Sequence, residues 1–210
     1  DEIAVRHYLP PILRMIPLFR ANNIPEMKAE IQKSGGKVLV IVHPYYEKYD
    51  PFYTRHPQNA EKARRLENRL EKWLSSSSSR RPPVFVLEEE SVVWRTSDHL
   101  SELGAKHVYY VPTEAESPTP IFQAVYSNGH NTDGNWDQFS KVLKSLGVRK
   151  IYIGGMWLES QDSVIGCVNG ATDQLQKTFP VEITSFSFPL TRAHFKQSKV
   201  ASSQIARVSM

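Results

Sequence analysis

The sequence predicts an α/β fold, a Rossmann-like three-layer sandwich around a mostly parallel sheet of five strands or more. Three observations predict it. Short aliphatic and β-branched runs alternate with amphipathic helical stretches, the order that builds a parallel sheet between two helical layers. The run over 38–42 is apolar without alternation, as in a strand covered on both faces. In 147–175, a buried strand breaks at Gly154 and Gly155, and a polar loop leads to a helix that carries Cys167, the sole cysteine.

Residues 1–36 read as an N-terminal extension packed on the domain, 37–190 as a single α/β domain, and 191–210 as a polar, basic tail. In the extension, an apolar stretch is interrupted by Pro10, Pro11 and Pro17, and a brief helix over 25–33 stops at Gly35 and Gly36. The first strand follows. A helix over 59–74 gathers Ala60, Ala63, Leu66, Leu70, Trp73 and Leu74 on one face and charges on the other. The serines at 75–79, with Arg80, Arg81, Pro82 and Pro83, mark a loop. A second strand over 83–89 ends in acids. A short helix is expected over 98–103, capped by Ser97 and stopped by Gly104. The third strand covers 107–111, and the proline-containing stretch 112–134 is loop-rich. The next helix places Trp136, Phe139, Val142, Leu143 and Leu146 on one face and stops at Gly147. A fourth strand over 150–153 runs into the glycine pair. The Cys167 helix extends to about Phe179, and 181–188 forms the fifth strand.

Composition narrows the function classes. An apolar content of 40% and a charged content of 23% allow a sizeable core. A net charge of +4 spread over 210 residues gives a weak attraction to anions and lacks the dense basic stripe of a nucleic-acid binder, so no nucleic-acid partner is expected. No apolar run reaches the roughly 18 residues of a membrane span. One cysteine excludes an internal disulfide framework and a multi-cysteine zinc site; it fits a reducing compartment, with the cytoplasm slightly favoured. A first residue of Asp1 fits a processed leader or a trimmed chain equally. Oligomeric state leaves no mark in the sequence.

Open α/β sheets bind ligands beyond the carboxyl ends of their strands, so strand ends rank the candidate residues. The first offers His43, Tyr45 and Tyr46; the second offers Glu88, Glu89 and Glu90, the third Glu114; the fourth offers Gly154, Gly155, Trp157 and Glu159, with Cys167 beyond the loop. A cysteine in the first turn of a helix gains acidity from the unsatisfied backbone N–H groups. A helix starting at Gly166 gives Cys167 that setting, whereas a cap at Asp162 moves it into the second turn. Against a reactive thiol stands its helical face, shared with Val164, Val168, Ala171 and Leu175, and the tendency of free cysteine to be buried. His43 fits a general base near neutral pH, or a histidine that serves only local hydrogen bonding.

Other motifs point to bland roles. Glu88, Glu89 and Glu90 alternate faces and read as a solvated strand exit. Asn131, Asp133, Asn135 and Asp137 have the opening spacing of a calcium loop, but Trp136 and Val142 stand where its glycine and final acid belong; Asp133 or Asn135 is better read as a helix cap. No phosphate-binding glycine fingerprint or nucleophile elbow occurs. No metal and no cofactor are implied.

The order of a hydrophobic strand, a glycine, a loop and then Cys167-Val168 opening an Ala- and Thr-containing helix resembles the isochorismatase-like cysteine hydrolases. SLGVRKIYIGG before it and VEITSFSF after it continue the likeness, which covers about 37–190 and is densest in the last third. The resemblance implies a Rossmann-like fold and a nucleophilic Cys167 acting on a small amide, ester or vinyl ether. That family's aspartate after the first strand is replaced here by His43, and its lysine before the penultimate helix has no counterpart in VYSNGHNTDGNW.

Two functions follow. One is a diverged hydrolase of this type, with Cys167 as nucleophile and His43, or an acid such as Asp50 or Glu159, as proton acceptor. The other is a non-catalytic α/β module that binds a small ligand or a protein partner at the strand-end cleft.

Overall fold

The computed structural model describes residues 23–45, 57–75, 81–114, 117–121, 132–156 and 166–187. Five helices and five strands alternate in them. They are α1 Asn23–Lys33, β1 Lys37–Val42, α2 Pro57–Ser75, β2 Val84–Glu89 and α3 Val93–Glu102, then β3 Val108–Thr113, α4 Thr132–Ser145, β4 Lys150–Gly155, α5 Cys167–Leu175 and β5 Val181–Ser187. All neighbouring strands are parallel, in the order β3-β2-β1-β4-β5. The α/β class and the five-stranded parallel sheet are as the alternation of elements predicts. The extension before residue 23 and the tail after 187 lie outside the described residues.

Side-chain alternation divides the core into two layers. Val38, Val40 and Val42 of β1, Phe85 and Leu87 of β2, Val111 of β3 and Ile151 and Ile153 of β4 pack with Met27 and Ile31 of α1, with Trp136, Phe139, Leu143 of α4, and with Val168, Ala171 and Leu175 of α5. The opposite faces, Leu39 and Ile41, Val84 and Val86, and Tyr110, pack with Leu70 and Leu74 of α2 and with Val93 and Leu100 of α3. A central strand such as β1 is therefore covered on both sides, which explains its unbroken apolar run. The Arg81 guanidinium donates to the Trp73 and Leu74 carbonyls, satisfying the free C-terminal end of α2.

α1 and α2 start two residues earlier than expected, and the other three helices differ from the sequence expectation in their caps or ends. α3 begins at Val93, not Asp98, and its cap position, Val92, makes no side-chain cap bond. Val93, Thr96, Ser97 and Leu100 form its buried stripe, so packing on the sheet draws the helix back and Ser97 sits mid-helix on the buried side. α4 begins at Thr132, which places Asp133 and Asn135 inside the helix rather than at its cap; Asn135 is buried. α5 ends at Leu175, short of Phe179, and turns at Gln176 bring the chain to β5.

The switch in strand order falls between β1 and β4, where α2 and α5, the helices that follow them, lie on opposite faces of the sheet.

Candidate functional site

At the end of β1 the chain turns sharply. His43 has φ +50, a left-handed conformation uncommon for a residue with a side chain, and its amide donates to the Leu87 carbonyl at 2.7 Å. Its ring is buried, with Nε2 2.9 Å from Thr113 Oγ1 at the end of β3. The chain after β3 folds back on itself, pairing Thr113 with Pro120 and joining the Glu114 amide to the Thr119 carbonyl, and a Ser117 backbone group reaches the histidine. Burial brings the His43 pKa down to about 4, against a smaller opposing effect of that backbone group, so the imidazole is neutral at neutral pH. Sequence reading offers this side chain as a base. It lies at the strand ends and is engaged across β2 with Thr113.

Tyr45, two residues on, enters the α2/α3 core and is fully buried. Its hydroxyl donates to Glu71 Oε1 at 2.9 Å, and its ring meets that of His99 edge-on. It thus anchors the β1 exit between two helices. Tyr46, Trp157 and Glu159 lie outside the described residues, as does Asp50.

Gly154 and Gly155 end β4 opposite Ile41 and Val42 of β1. Gly155 has φ +150, and a Cβ there would stand 2.2 Å from the Val42 carbonyl oxygen. The Met156 amide donates to that same oxygen at 3.0 Å. At Gly155 it is a neighbouring strand that requires the missing side chain.

The acids at the end of β2 are not a solvated exit. Glu88 is fully buried and Glu89 nearly so; only Glu90 is exposed. Their side chains do alternate, Glu88 towards α3 and Glu89 towards the α4/α5 side. Glu88 is enclosed because the β2–α3 connection is only three residues long, closed by the Val92 amide on the Glu89 carbonyl, so α3 returns at once over its side of the strand end; Glu89 is buried on the opposite face, the side that carries Cys167. Glu88 Oε2 accepts the Tyr45 amide at 3.2 Å and the Thr96 hydroxyl at 3.3 Å. Its Oε1 is buried with no hydrogen-bond partner. Burial, aided by the Glu89 charge and opposed by these hydrogen bonds, pushes the Glu88 pKa up to about 8.

Cys167 is the first residue of α5, after Gly166 in extended conformation at the cap. This is the first-turn alternative of the sequence reading. The residue is half-buried and packs against the α1/α4/α5 core. Desolvation pushes its pKa up to about 12, and the charges of Glu89 and Glu88 add to the push, while its own backbone N–H opposes it. The helix start alone therefore does not make it a thiolate.

The fold thus brings His43, Glu88, Glu89, Gly155 and Cys167 to one end of the sheet. Sequence reading has the two acids among the strand-end residues but takes them for a solvated exit. The signal for the burial of Glu88 is the shortness of the link between VFVLEE and the apolar stripe beginning at Val93, which forces α3 over that side of the strand end. Among the described residues no three histidine, cysteine or acidic side chains group to hold a metal, and no helix is long and apolar enough to cross a membrane. Compared with known proteins, the chain matches no family model, no curated protein and no solved structure.

Proposed function

We propose that this chain is a small-molecule hydrolase in which Cys167 is the nucleophile and Glu89 receives its proton. The observation that carries the reading is the pairing of a thiol at the first position of α5 with a buried acid on the same side of the sheet, close enough for its charge to bear on the thiol. A neutral thiol beside a carboxylate is activated when proton loss accompanies attack, not beforehand. Cys167 Sγ forms a bond to the carbonyl carbon of an ester or amide as Glu89 takes the thiol proton. The leaving group departs with that proton, and water then cleaves the thioester, restoring the thiol. The resemblance to isochorismatase-like hydrolases supports the same class of substrate, with Glu89 standing in for the absent aspartate. His43 holds the strand ends together and takes no proton.

A second reading has its own support. A thiol raised to about 12 and a histidine turned into the protein suit a binding module with no chemistry. One experiment separates the two. Incubation with p-nitrophenyl acetate is expected to release nitrophenol with an acyl group trapped on Cys167, seen by mass spectrometry, and both are expected to vanish in Cys167→Ala. Absence of acylation in the folded wild-type chain, or equal nitrophenol release by the variant, would falsify the hydrolase reading.

A further inference from the structure

The β1 exit is held by two carboxylates on one residue. Glu71 of α2 accepts the Tyr45 hydroxyl, and Glu88 of β2 accepts the Tyr45 amide while also accepting the Thr96 hydroxyl of α3. The Tyr45 and Thr96 donors both fall on Oε2, the backbone N–H of Glu89 adds a weaker interaction with the carboxyl, and Oε1 is buried without a hydrogen bond of its own. A buried carboxylate with one oxygen unsatisfied costs more than a neutral carboxyl in the same place, so the site favours the protonated acid. We infer that Glu88 is a proton-dependent latch, fastening the exit of β1 to α3 while protonated and letting it open once the proton is lost.

The surroundings agree. Of the titratable groups around Glu88, Glu89 on its own strand repels a second negative charge. From the β1 exit comes His43, whose imidazole is neutral and turned to Thr113. From α5 comes Cys167, also neutral. α3 contributes Thr96, and His99 one turn on is occupied by Glu71 at 2.6 Å. Among the described residues no cation bears on the carboxyl to stabilise its charged form. Once ionised, Glu88 gains most by letting water reach Oε1, and the way in is to part Tyr45 from α3.

The latch concerns the β1 exit alone and stands whether or not Cys167 acts on a substrate. Its linkage follows from the two protonation states. In the closed form Glu88 keeps its proton up to about pH 8, while in the open form it has the ordinary carboxyl value of 4.5. Opening therefore grows by up to about tenfold per pH unit between those limits and then levels off.

The test is amide hydrogen exchange at Tyr45 followed by NMR over about pH 5 to 9, corrected for intrinsic rates. Protection is expected to fall with pH over that window in the wild-type chain. In Glu88→Gln, which keeps the size and accepts the same two donors, it is expected to be flat. The carboxyl carbon of Glu88, followed by 13C NMR in the wild-type chain, is expected to titrate well above the usual acid range, and this readout does not depend on any variant folding. Titration of Glu88 near 4.5, pH-independent protection in the wild type, or the same slope in Glu88→Gln would each overturn the latch.

Discussion

Gly155 passes Val42 so closely that the two strands could not keep their register with any side chain at position 155. An added Cβ would lie 2.2 Å from the Val42 carbonyl oxygen and 2.8 Å from its nitrogen, and neither backbone atom can swing aside. The positive φ of 150° compounds the clash. Gly155→Ala is expected to cost about 3 kcal/mol or more, read from the midpoint of urea unfolding. A loss below about 1 kcal/mol would mean that the β1–β4 junction yields more easily than its geometry implies.

Two buried titratable groups at the strand ends, His43 and Glu88, oppose each other in their effect on stability. The His43 pKa falls from 6.5 unfolded to about 4 folded, so its contribution is complete above 6.5 and is lost as pH drops through about 4. The Glu88 pKa rises from 4.5 to about 8, so its contribution is complete below 4.5 and is lost as pH rises through about 8. Between about 4.5 and 6.5 the two slopes cancel. Above that, stability is expected to fall towards pH 8, by at most about 1.4 kcal/mol per pH unit. Denaturation midpoints across pH should show Glu88→Gln rising from about 4 to 6.5 and then flat, and His43→Asn falling throughout from about 4.5 to 8.

Cys167 offers a chemical check on its neighbour. With its pKa near 12, iodoacetamide should modify the folded protein slowly at pH 7, about tenfold faster per pH unit above that. Glu89→Gln removes a charge that opposes the thiolate, so alkylation is expected to quicken while acyl turnover is lost. A merely structural Glu89 would leave turnover intact. Alkylation seen only on unfolding would identify Cys167 as a core thiol.

Tyr45 separates anchoring from packing. Tyr45→Phe keeps the ring against His99 but removes the hydroxyl donor to Glu71, which His99 still pairs; the expected cost is about 1 kcal/mol. Tyr45→Ala empties a fully buried site and should cost roughly 3–5 kcal/mol by chemical denaturation. Equal losses for the two variants would place the energy in the hydroxyl instead of the ring.

Much of the architecture can be read from the chain. The unbroken apolar run of β1, the amphipathic stripes of α2 and α4 and the glycine pair after β4 each report a local rule, either the period of a helix or the covering of a strand on both faces. They lead to the five-stranded α/β sheet and to a helix that carries Cys167, with its place in the first or second turn left open until the structure set it first. Helix starts were less accessible: α3 begins at Val93, four residues before its apparent cap, because the buried stripe from Val93 to Leu100 outweighs one hydrogen bond from Ser97.

The candidate site divides along the same line. The sequence by itself determined which residues stand at the strand ends, since parallel strands and helical crossovers carry each chain segment to the same edge. Only the tertiary structure decided what those residues are. Glu88 and Glu89, which alternate like any strand exit, became buried acids because a layer covers each face of the sheet there, α3 over Glu88 and the side of Cys167 over Glu89. His43 became a neutral partner of Thr113, and the Cys167 thiol was held protonated at a helix start that would otherwise acidify it. Protonation depends on desolvation and on charges far apart in the chain, and these exist only once the layers close.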